Sequence, residues 1–165
     1  MTDDVPGARV LRANDGETLG ALEAVRDRFM IDGVEAGGRF SILQHLFPPR
    51  ALAAPFHIHQ HEDEWSFVLE GQIGAMLGEE EVLAEVGDLI WKPRNQWHTF
   101  WNAGDVPARV LEIISPGGFE QAFREMHTLG DALDPEKTTD IAGRYGVQGD
   151  FERTQPIIER HKLVF

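Results

Sequence analysis

From residue 24 to residue 115 the sequence is cut into short apolar runs by turn formers. The runs at 24–31, 39–47, 56–59, 64–69, 72–77, 88–91, 97–101 and 109–114 have strand-like composition. Glu70-Gly71, Gly78-Glu79, Gly87-Asp88, Lys92-Pro93 and Asn102-Ala103-Gly104 separate them. Within 39–47, Phe40, Ile42 and Leu46 share one parity, the expected apolar face, and Pro48-Pro49 ends the run. Many short strands at this spacing build a sandwich or barrel rather than an alternating α/β sheet. An all-β fold follows.

After Ser115-Pro116-Gly117-Gly118 the period changes. Phe119, Phe123 and Met126 recur at helical spacing, so 119–129 is predicted to be an amphipathic helix. Asp134-Pro135-Glu136 reads as a second helix start, an N-cap followed by proline at the first position. The stretch around Gln155-Pro156-Ile157-Ile158 is expected to be an extended tail packed on the barrel. The expected organisation is one domain over 1–165, with a barrel core at about 24–115 and C-terminal helices and tail over 118–165. A chain of 165 residues can bury a core without covalent staples, and this one has no cysteine. Any metal must therefore be held by His, Asp or Glu.

The formal net charge is −13, which argues against nucleic acid and anionic membrane surfaces as partners. The start, Met1-Thr2-Asp3-Asp4, has neither a basic nor an apolar leader segment, so a cytoplasmic protein is expected. The acidity is local. Between Arg50 and Lys92 there is no Lys or Arg, while Glu62, Asp63, Glu64, Glu70, Glu79, Glu80, Glu81, Glu85 and Asp88 fall in that gap. Most of these acids are expected on solvated turns and strand edges. Three histidines in the same gap need another account.

They lie in PFHIHQHEDEWSFVLEG, residues 55–71. His57 and His59 are two apart, so on a strand both rings point to one face. Glu64 opens the next strand, and a hairpin can return its carboxylate over the rings. His98 enters from a third strand, in GDLIWKPRNQWHTFWN. Three imidazoles and one carboxylate make a site suited to one divalent Fe, Mn, Ni, Co, Cu or Zn ion, and poorly suited to Mg or Ca. His61 shares parity with His57 and His59 but falls in the acidic HEDE run. It is expected in a loop, with ligation itself, should the strand run on, or support of a ligand from behind as the alternatives. His45, His127 and His161 have no such company and are expected to be structural or solvated. Parity with His98 turns Gln96 and Phe100 inward, and parity with Glu64 does the same for Ser66 and Val68. With Phe56, which flanks the histidines, these are the expected substrate-pocket residues.

The two segments resemble the paired motifs of the cupin superfamily. His57, His59, Glu64 and Gly71 match the first motif, with Ala51 where the family opens on Gly. Gly87, Pro93, His98 and Asn102 match the second, with Asn95 in place of Gly, and Asn tolerates positive φ better than most residues. The resemblance implies a double-stranded β-helix, or jelly roll, with His57, His59, Glu64 and His98 as metal ligands. More narrowly, the chain is similar to small single-domain quercetin 2,3-dioxygenase-like cupins. That implies a metal-dependent oxidoreductase acting on a small enolisable aromatic, flavonol or polyketide-like substrate, with Glu64 as both ligand and catalytic base. A non-redox cyclase, isomerase or lyase in the same pocket is the alternative, and a non-catalytic small-molecule-binding cupin the third. The resemblance also implies a homodimer.

Overall fold

The computed structural model describes residues 7–165, so the start at Met1-Thr2-Asp3-Asp4, read above for a leader, lies outside the described residues. Two antiparallel sheets face each other. One has six strands in the order β1 (Thr18–Leu19), β2 (Arg26–Ile31), β3 (Ser41–Phe47), β10 (Ala108–Ser115), β5 (Asp63–Glu70) and β8 (Leu89–Lys92). The other has five, in the order β11 (Val147–Asp150), β4 (Phe56–His59), β9 (His98–Asn102), β6 (Ile73–Leu77) and β7 (Glu80–Ala84). This is the jelly roll. Both sheets join strands distant in sequence, β3 to β10 and β5 to β8 in one and β4 to β9 in the other, and inward-facing side chains alternate with outward ones in strands such as β8 and β10. Phe47, Val68, Ile73, Ile90, Phe100 and Val110 form the apolar core at one end of the barrel. Burial of such side chains is the main favourable term in holding the two sheets together.

Three helices follow: α1 (Glu120–Leu129), α2 (Pro135–Arg144) and α3 (Phe151–His161). The first begins one residue after its expected start. The second has the expected N-cap, with the Asp134 side chain accepting from Lys137 N and Pro135 in the first turn. Phe119, Ala122, Ile141, Ala142 and Val147 pack with Leu43 and Ile114 of the six-stranded sheet, so α1 and α2 close the other end of the barrel. No described helix is long and apolar enough to cross a membrane.

Two expectations are corrected here. The buried parity of β3 carries Ser41, Leu43, His45 and Phe47, while Ile42 and Leu46 are only partly buried. Polar Ser41 and His45 masked this face because their partners lie on other strands. The tail around Pro156 is helical, not extended. Asp150 caps α3 by accepting from Arg153 N, Phe56 N donates to the Thr154 hydroxyl at 2.8 Å, and Ile157 is buried against Leu52, Phe56 and Trp101. That docking outweighs the one backbone bond a proline removes. The sequence also hid β11, whose Val147 and Gly149 pair with His59 and His57, covering the edge of the histidine strand.

Candidate metal centre

His57 and His59 both project from β4 to the inside of the barrel. Glu64 reaches them from β5, and His98 sits across from His57 on β9. Each offers a ligand atom within 4.8 Å of all the others, and all four residues are buried. Local turns set this geometry. Gly71 ends β5 with φ 76°, and a Cβ there would lie 2.7 Å from that of Ala108. Asn95 adopts φ 61° ahead of β9, and its N–H donates to His59 O at 2.7 Å, tying the His98 turn to the histidine strand. At the far end of β9 the Asn102 amide donates to Pro48 O and Val106 O and accepts from Gly104 N.

The hydrogen bonds behind the rings decide what faces the centre. His57 Nδ1 donates to Pro55 O at 2.7 Å and His98 Nδ1 donates to Gln96 O at 3.1 Å. His59 Nδ1 lies 3.1 Å from the Glu62 carboxylate, to which it donates. A neutral imidazole that donates at Nδ1 presents a bare lone pair at Nε2. Burial, with His98 and His59 adding to it, holds the His57 pKa well below the ordinary imidazole value, and burial likewise lowers that of His98. The inner nitrogens therefore meet as acceptors. His57 Nε2 is 3.1 Å from His59 Nε2, and His98 Nε2 is 3.1 Å from Glu64 Oε2. Burial pushes the Glu64 pKa up, but Lys92, His59 and His98 outweigh this and keep it a carboxylate. Three lone pairs and an anion pointed at one another, with no proton to share, repel unless a cation lies between them. The donor set fits a divalent transition metal.

Two further groups complete the electrostatics. Lys92 Nζ lies 2.8 Å from Glu112 Oε1 and 3.3 Å from Glu64 Oε2, and both Lys92 and Glu112 are fully buried. Glu112 also accepts from the Ser66 hydroxyl at 2.5 Å. Sequence reasoning missed Glu62, Lys92 and Glu112. Glu62 was counted with the surface acids and Lys92 with a turn. Signals existed for two of them, since Lys92 shares the inward parity of Ile90, and Glu112 that of Val110 and Ile114.

A cavity of about 490 Å³ runs between the barrel and the helices, with His57 and Glu64 on its wall. Among the expected pocket residues, Phe100 lines it. Val68 packs in the barrel core and Ser66 is occupied by Glu112. Phe56 lies on the opposite face of β4, stacked on Trp97 with ring centroids 5.5 Å apart. Gln96 is exposed near the Gly78 turn, because it precedes β9 and strand alternation does not reach it. His61 is exposed, and Glu62 takes the place behind His59.

A model of the cupin domain matches residues 44–114, the stretch that holds all four site residues. The chain carries a cupin domain. A relative in Streptomyces glaucescens, tetracenomycin polyketide synthase protein TcmJ, is 29% identical to this chain over 89 residues, covering 54% of it. The match spans 60% of that relative's length. KdgF from Halomonas sp. superposes on the cupin barrel with a TM-score of 0.60 at 15% identity, over 70% of this chain and 99% of that one. The polyketide cyclase RemF from Streptomyces resistomycificus does so with a TM-score of 0.56 at 23% identity, over 66% and 80%.

Proposed function

We propose that this cupin is a metal-dependent enzyme that cyclises or rearranges an enolisable, polyketide-like aromatic substrate without a redox step. The observation that carries this reading is the convergence of three bare Nε2 atoms and one carboxylate, with His57 and Glu64 on the wall of an aromatic-lined cavity. The polyketide associations printed in the names of TcmJ and RemF favour cyclisation over the oxygen chemistry that quercetinase resemblance implies. A bound divalent ion supplies Lewis acidity, lowering the pKa of a substrate hydroxyl or of a carbon beside a carbonyl.

The remaining work falls to side chains. Glu64 faces the cavity, and its Oε1 is the oxygen not shared between Lys92 and His98, so it is the atom that accepts the substrate proton. Phe100, Phe119 and Phe123 hold flat rings and exclude water. The test is to load the protein separately with zinc, nickel, manganese and iron and offer aromatic β-polyketones and flavonols under air and under argon. Product formed by loss of water at equal rates in both atmospheres is expected. Product that requires dioxygen makes the enzyme a dioxygenase instead, and no product with any ion overturns the enzymatic reading.

The protein is further proposed to act as a homodimer. On the outer face of the six-stranded sheet Trp91 and Leu89 are 59% and 57% exposed and lie opposite Trp65 and Phe67. An apolar patch on a sheet edge is suited to cover by a second copy. Light scattering is expected to give twice the chain mass, and Trp91→Glu to give the monomer; a monomeric wild type sinks this.

A further inference from the structure

The cavity carries a second group of ionisable side chains, away from the four metal-competent residues. Asp27 of β2 is buried and both of its oxygens are engaged. Oδ1 lies 2.5 Å from Nδ1 of His45 on β3, and Oδ2 lies 2.7 Å from Nε2 of His127 on α1. All three residues line the cavity that His57 and Glu64 also line. Strand register separates the two groups. Glu64 lies opposite Ile114, Ile114 opposite Ser41, and His45 is four residues farther along β3. Two strand spacings of ~4.8 Å and four residues of ~3.3 Å put them on the order of 15 Å apart at the backbone.

Aromatic rings bridge the gap. The Phe119 ring is 4.6 Å from His59, Phe123 is 5.0 Å from Phe119, and Phe123 and Phe100 are 5.6 and 5.7 Å from His45. An aromatic wall thus lies between the two polar groups, which matches a flat fused-ring molecule bearing an oxygen at each end.

Internal needs account for only half of His45. Its Nδ1 satisfies Asp27, but Nε2 has no hydrogen-bond partner among the described residues. The Glu112 Oε2 atom, at 3.9 Å, is too far. Burial pushes the His45 pKa down, but Asp27 and then Glu112 outweigh this and raise it. Asp27 is held below its ordinary value by the same two imidazoles, against the effect of burial. A ring nitrogen on the cavity wall with no protein partner is open to a ligand hydroxyl, which can donate or accept there.

We propose that His45 Nε2, aimed by Asp27 with His127 behind it, hydrogen-bonds a hydroxyl on the far ring of a fused-ring aromatic whose near ring meets the metal ligands. The assignment rests on the pocket reading above and names the end of the substrate that reading leaves open. His45 touches the ligand, while Asp27 and His127 are positioning residues.

Two probes test it on the zinc-loaded full chain. Alizarin has an adjacent hydroxyl pair on one terminal ring, and flavopurpurin adds one hydroxyl on the other. Absorbance titration is expected to show flavopurpurin binding about tenfold tighter, the worth of one hydrogen bond. His45→Asn keeps a donor near the Nδ1 position for Asp27 and removes Nε2. It should bring the two affinities together while leaving that for alizarin within about twofold. Equal affinities in the wild type, or an unchanged ratio in the variant, overturn the proposal. Should His45→Asn not fold, the imidazole nitrogen resonances of the wild type decide. The His45 Nε2 signal must move with flavopurpurin and not with alizarin, and its failure to do so overturns the proposal. If neither probe binds the wild type, the pocket reading falls and takes this assignment with it, whereas alizarin binding without the far-ring preference removes this assignment alone.

Discussion

Replacing His98 with alanine is expected to lower divalent-metal affinity by at least about 100-fold, a larger loss than the 10–100-fold typical of a residue behind the ligands. His98 is 1% exposed, and Gln96 O fixes its tautomer, so no solvent molecule or neighbouring side chain stands ready to replace its lone pair. The sign of the pH dependence follows from the same burial. A ligand must lose its proton before it can bind a metal, and an ordinary imidazole competes with protons below about pH 6.5. His57 and His98 have their pKa values lowered, so that competition begins only at lower pH. Glu64, held well below the usual carboxylate range, is also ready. Wild-type zinc affinity should therefore change little between about pH 6 and about pH 8. Competition with a chromophoric chelator at both pH values measures this, beside elemental analysis of the purified variants. A His98→Ala protein that keeps zinc within about tenfold of wild type would remove His98 from the site, and a steep fall toward pH 6 would remove the lowered pKa values.

The parts of this site legible in the sequence are those with short-range rules. The two-residue spacing of His57 and His59 becomes one face of β4 by strand alternation alone. Asn95 and Gly71 mark turns whose positive φ restricts the choice of residue. What stayed hidden depends on pairing between distant strands. Glu112 looks like an interruption of an apolar strand until β8 brings Lys92 beside it, and His45 looks isolated until β2 and α1 bring Asp27 and His127. Parity failed at Gln96 because a residue outside a strand has no parity to share, and proline misled at α3 because tertiary docking outweighed local preference. Polar residues on apolar parities were the signal in each buried case. Each finds its partner on an element distant in sequence, so parity alone does not separate it from a solvated polar residue.

The interior also holds more charge than the ligands require, and this gives the largest expected effect on stability. Burial pushes the Lys92 pKa down, but Glu112 and Glu64 outweigh it, so Lys92 is an ammonium between two carboxylates with Phe100 beneath it, Nζ 3.9 Å from the ring centre. Before any ion binds, these three charges sum to −1, and with neutral imidazoles a divalent ion brings the interior to +1. Lys92→Met removes the lysine paired with Glu112, leaving a buried carboxylate with the Ser66 hydroxyl as its closest donor. Breaking a buried pair in this way costs ~3–5 kcal/mol, which for a chain of this size lowers Tm by on the order of 10 °C. Adding Glu112→Gln removes the orphaned charge and keeps an acceptor for Ser66, so the double variant should regain most of the loss. The regain must come from Glu112 rather than Glu64, because the histidines still face Glu64 in both variants. Lys92 also opposes a divalent ion at Glu64, so the double variant should bind zinc at least as tightly as wild type. Thermal melts of the metal-free proteins decide the first point and chelator competition the second. If the single and double variants melt together, Lys92 serves Glu64 alone. The interior would then be balanced for the metal-free state rather than for Glu112.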